Sequence, residues 1–309
     1  MNDNKKIKDY FEDYLSDCKY SKRLRPKTMD SYKDVMKNFL ATVPEVIGLE
    51  ELTANSVAVF FRRIGERKQK DKIGVRNSTV RTYYSKLIVF FKWLEDNGFK
   101  DEGVLTDKII KPPVPTYEDE RALKDREVSK IIAAVIQNCA NNFFLHKRDL
   151  IIVYVLLYTG IRKGELLGLR VGDIDFASKS IFINGDTSKS KKSRKIPLHP
   201  TLSLHLKDYL RERQKRSMSC EHLIVSTLRD EKFTEHGIKH WVERYKKLSK
   251  VNFHIHRFRH TFACSLAKNH ADITSIKNVM GHSSILMTER YLRSIGTENS
   301  RGFIDKLSF

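Results

Sequence analysis

Residues 159–175 read TGIRKGELLGLRVGDID, and three later segments of the chain are similarly rich in basic and polar side chains. The later segments are TSKSKKSRKIPLHP (187–200), HIHRFRHTFA (254–263) and VMGHSSILMTERYL (279–292). Each segment alone fits an ordinary structural role: a glycine-capped helix junction, a solvated hairpin tip, an amphipathic helix and a helix–turn–helix corner. Their order along one chain favours a common explanation.

The charge of the whole chain indicates a polyanionic partner. Its 309 residues include 58 Lys and Arg against 38 Asp and Glu, which gives a net charge of +20. Residues 1–110 carry +5 of this excess and residues 111–309 carry +15. Because a strongly basic protein is attracted to nucleic acid, we expect nucleic acid as the partner.

Composition excludes several classes of protein. Hydrophobic residues make up 40% of the chain, which is enough to build hydrophobic cores. The chain has 14 Gly and 7 Pro, too few turn-forming residues for a β-sandwich. The four cysteines form no CxxC pair and have no zinc-finger spacing, so we expect free thiols in a reducing compartment. No uncharged apolar run approaches 18 residues, so membrane insertion is not expected. The N-terminus lacks a signal segment, so export is not expected either. We therefore expect a cytoplasmic location.

Helical periodicity and one proline-rich segment divide the chain into two predicted domains. Residues 1–105 are predicted to form four helices. Residues 106–120, TDKIIKPPVPTYEDE, contain three of the seven prolines and are predicted to form an extended linker. Residues 121–309 are predicted to be mostly helical with three short strands. The predicted fold class is therefore mainly α with a small antiparallel β-sheet in the second domain.

Cap and turn residues predict where several elements begin and end. In the first domain, helix starts are predicted at Thr28, Thr53 and Ser78, and a helix end at Gly98. In the second domain, helices are predicted over 125–138, 146–159 and in RKGELLGL, and strands around 171–175, 180–184 and 194–198.

Common cofactor motifs are absent from the sequence. It contains no GxxxxGK[ST] or GxGxxG phosphate-binding loop, no HExxH and no acidic cluster of the kind that binds two metals. His236 and His240 are spaced i, i+4, but no third ligand is evident, so no metal site is predicted. We expect chemistry on nucleic acid without a metal or a nucleotide cofactor.

Taken together, the four segments resemble the tyrosine recombinase (phage integrase) family, across essentially the whole chain. The family pattern is an Arg in TGxRxxEL, a Lys in a β-hairpin, HxxR opening a helix, a GH turn, and a nucleophilic Tyr nine residues after that His. The matching residues here are Arg162, Lys189, His256 with Arg259, His282 and Tyr291. The resemblance implies a helical SAM-like core-binding domain (1–105) and a catalytic domain (121–309) that form a two-domain, C-shaped clamp on duplex DNA.

The residue types suit phosphodiester cleavage. The phosphate under attack gains charge on its non-bridging oxygens, which the guanidinium forks of Arg162 and Arg259 can bind, with His282 as a further donor. Tyr291 is the expected nucleophile. Its ordinary pKa of about 10 makes it unreactive without a partner, and His256 is the candidate to accept its proton.

Two further side chains have assisting roles. The departing 5′ oxygen needs a proton, and Lys189 is the expected general acid, with Lys191 and Lys192 as rivals in the same hairpin. Glu165 cannot stabilise phosphate itself, so we expect it to orient its neighbours, including Arg162; the alternative is an ordinary surface ion pair.

The resemblance implies a site-specific DNA recombinase that cleaves and rejoins DNA through a 3′-phosphotyrosyl intermediate, for integration, excision or dimer resolution. The alternatives are a catalytically inactive, sequence-specific DNA-binding protein and a type IB topoisomerase-like enzyme. All six family positions are filled, which argues against the inactive binder, and the compact two-domain layout argues against the topoisomerase. Because no arm-binding domain fits before residue 5, a simple Xer-like recombinase is expected.

Strand exchange between two duplexes needs four active sites, so the expected assembly is a homotetramer on double-stranded DNA, associated with the nucleoid. Residues 302–309, GFIDKLSF, place three apolar side chains on one face of a possible short helix, which is expected to dock on a neighbouring subunit or, alternatively, on its own domain. DNA contacts are expected from ten basic residues: Lys22, Arg23, Arg25, Lys27, Arg76, Arg81, Lys86, Lys191, Lys192 and Arg194.

Overall fold

The computed structural model describes residues 5–69, 72–113, 122–138, 142–187, 192–226 and 229–292, with the backbone alone at 69, 72, 187 and 290–292. The chain divides into two compact units, Met1–Tyr117 and Glu118–Phe309. Each unit contains its own cluster of buried apolar side chains.

Four helices build the first unit: α1 (Ile7–Tyr20), α2 (Pro26–Thr42), α3 (Ala54–Glu66) and α4 (Asn77–Asp96). Their inward faces meet in an aromatic core that includes Tyr14, Phe39, Phe60, Phe90 and Phe91, all almost completely buried. Ring pairs such as Phe11 with Phe90, at 5.3 Å between centroids and nearly perpendicular, link α1 to α4. Edge-to-face pairs of this kind stabilise a core beyond the area they bury.

Two of the predicted helix boundaries in this unit are confirmed. Thr53 caps α3, because its Oγ1 accepts a hydrogen bond from the backbone N–H of Ser56 at 3.1 Å. Gly98 follows the end of α4 and has φ +70°, a conformation that an L-residue rarely adopts.

Two other predicted starts are wrong. Helix α2 begins at Pro26 and not at Thr28, because proline at the first helical position has a preset φ and no N–H that needs a partner. Helix α4 begins at Asn77 with Arg76 as its N-cap, so Ser78 lies inside the first turn.

The first unit also contains a small hairpin that the sequence did not predict. Strands β1 (Lys68–Gln69) and β2 (Lys72–Ile73) pair antiparallel. Gly74, at φ +79°, donates its N–H to the carbonyl of Arg67 at 2.8 Å and closes the hairpin against the end of α3. The prediction of a purely helical first domain is wrong here, because the charged run KQKDK shows no alternation of apolar and polar residues.

The chain after α4 is tied to the first unit. The buried carboxylate of Glu95 accepts hydrogen bonds from the N–H groups of Leu105 and Thr106, at 2.8 and 3.0 Å, and from the Thr106 hydroxyl at 2.6 Å. These bonds hold the pKa of Glu95 below its ordinary value although burial alone acts in the opposite direction. Thr106, the first residue of the predicted linker, is thus fastened to α4.

Eight helices and a three-stranded sheet make up the described part of the second unit. The helices are α5 (Asp125–Asn138), α6 (Phe143–Thr159), α7 (Lys163–Gly168), α8 (Pro200–Lys215), α9 (Glu235–Ser249), α10 (Ile255–Lys268), α11 (Ile273–Met280) and α12 (Ile285–Leu292). The strands β3 (Ile174–Asp175), β4 (Ser180–Ile183) and β5 (Arg194–Pro197) form an antiparallel sheet in that order. Ile181 of β4 pairs with Ile196 of β5, and both face the core.

Helix α6 is the centre of the second unit. It is apolar on all sides, as expected of a helix surrounded by others, and packs against α5, α8 and α10. It begins three residues before the predicted His146, because the side chain of Asn142 accepts the N–H of Leu145 at 2.9 Å and caps the helix earlier. Its last residue, Thr159, leads into the predicted active-site segment.

Among the described residues, no helix combines the length and the apolar character that a membrane span requires.

Candidate active site

The segment that contains Arg162 turns sharply at Gly160. This glycine ends α6 with φ +59°, and a Cβ at this position would collide with the ring of Phe262. Only glycine therefore fits the turn. Arg162 then becomes the N-cap of α7, and its backbone N–H donates to Glu165 Oε2 at 3.0 Å.

Glu165 is buried and holds two guanidinium groups. Its Oε1 accepts from Arg162 Nη1 at 3.1 Å and from Arg194 Nη1 at 3.2 Å, and its Oε2 accepts from Arg194 Nη2 at 2.8 Å. The Glu165 side chain is fully shielded from solvent, whereas that of Arg162 is 19% exposed. The alternative of an ordinary surface ion pair does not describe Glu165, and Arg162 keeps a face open to a ligand.

Arg259 reaches the same region from α10. Although it is 1% exposed, its guanidinium donates to the carbonyl of Gly160 and to that of Met280, both at 2.7 Å. These two carbonyls end α6 and α11, which are 120 residues apart in sequence. Arg259 therefore joins the two segments that contain Arg162 and His282.

His282 follows the turn at Gly281, which ends α11 with φ +63° and whose carbonyl accepts from Arg162 Nη2 at 3.3 Å. His282 Nδ1 lies 2.9 Å from the hydroxyl of Thr288, a completely buried residue of α12. Burial, together with the positive charges of Arg259 and Arg162, lowers the pKa of His282 to about 3. The imidazole is thus neutral at physiological pH.

His256 and Tyr291 lie on neighbouring helices. His256 is exposed in the first turn of α10, close enough for its charge to contribute to the lowered pKa of His282. Tyr291 lies in the last turn of α12, three residues after Thr288, and its side chain is outside the described residues. Helices α10 and α12 pack against each other.

The hairpin between β4 and β5 contains the predicted general acid. Lys189 and its rival Lys191 lie outside the described residues. Lys192, the third candidate, is exposed immediately before β5. Together with Arg194, Lys277 and His282 it lines a cleft of about 300 Å³ that is suited by its charge to a phosphate group.

A larger cleft, of about 610 Å³, lies on another part of the second unit. It contains none of the predicted catalytic residues. Its lining mixes three carboxylates, Asp173, Asp186 and Glu235, with the cations Arg170 and Lys232.

The predicted DNA contacts of the first unit fall in two places. Lys22, Arg23, Arg25 and Lys27 are exposed around the turn from α1 to α2, and Lys22 pairs with Asp17 at 3.3 Å. The remaining three lie at the start and along the side of α4: Arg76, which is exposed, and Arg81 and Lys86, which are half-buried. Contact with DNA by these side chains stays a prediction.

Among the described residues, no group of three or more His, Cys, Asp and Glu side chains is placed to hold a metal ion. His236 and His240 lie side by side on the exposed face of α9, with their Nε2 atoms 2.8 Å apart. No third ligand from the described part of the chain is placed beside them.

Sequence reasoning missed two residues of the site. Arg194 was expected to contact DNA, yet its guanidinium lies on Glu165, and its side chain is 8% exposed. The signal was available: Arg194 stands two residues before the buried Ile196, so strand alternation places both on the inward face. Thr288 gave no comparable signal, because nothing local indicates that its hydroxyl meets His282.

Comparison with known proteins gives matches over both units. The model of the phage integrase family matches residues 121–297, and the model of the phage integrase N-terminal SAM-like domain matches residues 7–98. A tyrosine recombinase of Pseudothermotoga lettingae is 26% identical over 300 residues, 95% of each chain. Tyrosine recombinase XerC of Oceanobacillus iheyensis is 27% identical over 296 residues, which cover 91% of this chain and 90% of the relative.

Solved structures share the fold. A lambda integrase dimer bound to a COC′ core site superposes with a TM-score of 0.72 at 20% identity, over 95% of this chain and 79% of that one. The XerH site-specific recombinase in a post-cleavage complex with difH DNA gives a TM-score of 0.70 at 16% identity, over 98% of this chain and 90% of that one. A lambda integrase tetramer on a Holliday junction gives a TM-score of 0.72 at 19% identity, over 96% of this chain and 80% of that one.

Proposed function

Because the chain belongs to the phage integrase family, we propose that it is a tyrosine-type site-specific DNA recombinase that acts through a 3′-phosphotyrosyl intermediate. The observation that carries the proposal is the convergence of Arg162, Arg259 and His282, the last of which lines the cleft of about 300 Å³. These residues come from three distant segments, and hydrogen bonds to Gly160, Met280 and Gly281 hold the segments together. Fixed donors of this kind are what a phosphoryl transition state requires.

The cations stabilise the charge that develops on the phosphate. Arg162 and Arg259 bind non-bridging oxygens through their guanidinium forks. Glu165 keeps Arg162 in a fixed orientation through its two hydrogen bonds to that residue. We assign the Thr288 hydroxyl hydrogen to His282 Nδ1, which leaves the Nε2–H of the neutral imidazole to donate to the phosphate.

Tyr291 supplies the nucleophile. Its oxygen attacks phosphorus, the bond from phosphorus to the 5′ oxygen breaks, and a 3′-phosphotyrosyl ester and a 5′-hydroxyl result. His256 accepts the tyrosine proton, and Lys189 gives a proton to the 5′ oxygen, with Lys191 and Lys192 as the other candidates. A 5′-hydroxyl of the partner duplex then reverses the step, so the ester conserves the bond energy without an external energy source.

Both units contribute to binding of double-stranded DNA in this proposal. Residues 1–105 form the core-binding domain, residues 106–120 the linker and residues 121–309 the catalytic domain. The basic side chains around the α1–α2 turn and on α4 contact phosphates of the duplex. A DNA substrate implies a cytoplasmic protein associated with the nucleoid.

The active assembly is a homotetramer on DNA, as in the lambda integrase tetramer on a Holliday junction. Residues 302–309, which lie outside the described residues, dock on the neighbouring subunit. The apolar residues Ile285, Leu286 and Met287 are exposed on α12 and offer a surface of matching character. Deletion of residues 302–309 should leave single-site binding within a few-fold of wild type and strongly weaken synapsis and recombination. Unchanged recombination would favour docking on the parent domain.

A nicked suicide substrate tests the chemistry. We expect wild type to form a denaturation-resistant protein–DNA adduct in the presence of a metal chelator. Tyr291→Phe should abolish the adduct while gel-shift binding survives, because only the phenolic oxygen is lost. A wild-type protein that binds its site and forms no adduct would instead be an inactive DNA-binding protein, and relaxation of supercoils without a second site would indicate a topoisomerase.

A further inference from the structure

We propose that Arg194 is a positioning residue that keeps Arg162 available to the phosphate, an inference that rests on the proposed recombinase function. Arg194 lies at the start of β5, at the base of the hairpin that contains the lysine candidates for the general acid. Its guanidinium is directed into the protein and contacts two other segments of the site. It acts through Glu165 and through the end of α11, and it does not itself contact DNA.

All three nitrogen atoms of the Arg194 side chain donate hydrogen bonds within the protein. Nη1 and Nη2 form a fork on the two carboxylate oxygens of Glu165, at 3.2 and 2.8 Å. Nε donates to the carbonyl of Val279 at 2.7 Å. One side chain therefore connects β5, α7 and the last turn of α11, which directly precedes His282.

The charges explain why this connection matters for Arg162. Glu165 is a fully buried carboxylate beside two guanidinium groups. While Arg194 compensates the charge of Glu165, the charge of Arg162 acts on the phosphate. Without Arg194, the carboxylate would hold Arg162 as its counter-ion, because a buried anion needs a positive partner. The cation intended for the transition state would then be neutralised.

Packing gives Arg194 a second link to the site. A Cβ added at Gly281 would lie 2.9 Å from Arg194 Nη1 and 3.1 Å from its Cζ. The guanidinium thus fills the space directly beneath the turn that presents His282. Loss of this side chain would remove the support of the turn as well as the charge.

Burial separates Arg194 from the basic residues beside it. Its side chain is 8% exposed, whereas Lys192 and Lys195, on either side of it in sequence, are exposed. Arg194 lines the cleft of about 300 Å³, but its Nε, Nη1 and Nη2 are directed to Val279 and Glu165 and not into the cleft, whereas a phosphate-contacting role would require donors that point there. Substitution of Lys195 therefore provides a matched control, because it removes the same charge from the outer face of the same strand.

The test is single-turnover cleavage of a nicked suicide substrate at saturating DNA, measured beside single-site gel-shift binding. Wild type must first form the adduct, and failure of that step contradicts the proposed function and not the role of Arg194. Arg194→Met should then cleave about 10²-fold more slowly, with binding within threefold of wild type. Lys195→Met should cleave at the wild-type rate at saturation.

A second substitution distinguishes charge balance from simple packing. Adding Glu165→Gln to Arg194→Met removes the carboxylate that captures Arg162, so the double variant should recover at least tenfold in cleavage rate relative to Arg194→Met. A side chain that only fills space would show no such recovery. Arg194→Lys is measured in parallel, alone and with Glu165→Gln, so that poor folding of the methionine variant leaves the comparison intact.

Three results would overturn the inference. The first is cleavage by Arg194→Met within threefold of wild type. The second is a double variant no faster than the single variant, in both the methionine and the lysine series. The third is a loss confined to binding, with a wild-type rate at saturating DNA, because that result would make Arg194 a DNA contact.

Discussion

The positive charges of the candidate active site and those on the surface of the first unit are held in opposite ways. Arg194 and Arg259 are buried, and they donate to Glu165 and to backbone carbonyls at distances between 2.7 and 3.2 Å. Arg25 and Arg76 are exposed at helix starts of the first unit. The same residue type is thus rigidly oriented in one unit and exposed in the other.

This difference separates two tasks that positive charge performs on DNA. An oriented donor lowers a reaction barrier because it needs no reorganisation when charge develops on the phosphate. An exposed cation mainly releases counterions from DNA, which raises affinity in a salt-dependent manner. We therefore expect substitutions at buried cations to change the cleavage rate and substitutions at exposed cations to change affinity.

The largest effect is expected at Arg259. Arg259→Ala should slow single-turnover cleavage by about 10⁴-fold, since it removes a charged fork from the transition state. Single-site binding should stay within about fivefold of wild type, because few of the many phosphate contacts are lost. Quenched cleavage time courses and gel shifts measure the two quantities, with thermal melting as the control for folding. Equal losses of binding and cleavage would contradict the division of tasks.

The exposed cations should dominate the salt dependence of binding. For wild type, log K should fall against log salt with a slope of magnitude roughly 6, or a loss of about 10³ in affinity between 50 and 200 mM salt. The triple variant Arg25→Ala, Lys27→Ala, Arg76→Ala should lower the slope by up to about 3, at about 1 per lost contact, and leave cleavage at saturation unchanged. An unchanged slope in the triple variant would show that these side chains do not contact phosphates.

The general acid gives a more moderate effect with a chemical signature. Lys189→Ala should slow cleavage by about 10²-fold on ordinary DNA. Replacing the 5′ bridging oxygen of the substrate by sulfur should restore the cleavage rate of Lys189→Ala, because a thiolate leaves without a proton. The same substrate should not rescue Arg162→Ala, whose loss removes charge stabilisation. If Lys191→Ala or Lys192→Ala is the rescued variant and Lys189→Ala cleaves normally, the acid is that other lysine.

The smallest effect concerns stability and pH. The pKa of His282 is lowered from 6.5 to about 3, so between these values the unfolded chain binds a proton at this residue that the folded chain does not. The contribution of His282 to stability is therefore complete above pH 6.5 and falls as the pH decreases, by about 1.4 kcal/mol per pH unit. His282→Gln should remove this part of the slope in urea unfolding at pH 7, 6 and 5. Identical slopes in the two proteins would contradict the burial of a neutral imidazole.

The sequence predicted most helices and strands of the second unit, because their apolar periodicity is strong, but residues 171–173 of the expected first strand form a short 3-10 helix before β3. Its failures have local physical causes. Ser78 resembles a helix cap, but the turn at Arg76 had already started α4. The hairpin around Gly74 depends on a backbone conformation that a run of charged residues does not reveal.

The candidate site was predictable as a set of residues and not as a network. The family motifs indicated Arg162, Arg259 and His282, but no motif shows which side chains hold them in place. Arg194 was expected to contact DNA, and only its register against Ile196 indicates burial. Thr288 meets His282 through the packing of a turn against α12, a tertiary contact without a sequence pattern.

Tyr291 is the residue that should become linked to DNA. Mass spectrometry of the trapped adduct, after trypsin and nuclease digestion, measures this directly. Because arginines stand at 290 and 293, trypsin should release residues 291–293, YLR, with a nucleotide on the tyrosine. Recovery of that modified peptide is the predicted result. A nucleotide on any of the other eleven tyrosines, with peptide 291–293 unmodified, would contradict the account.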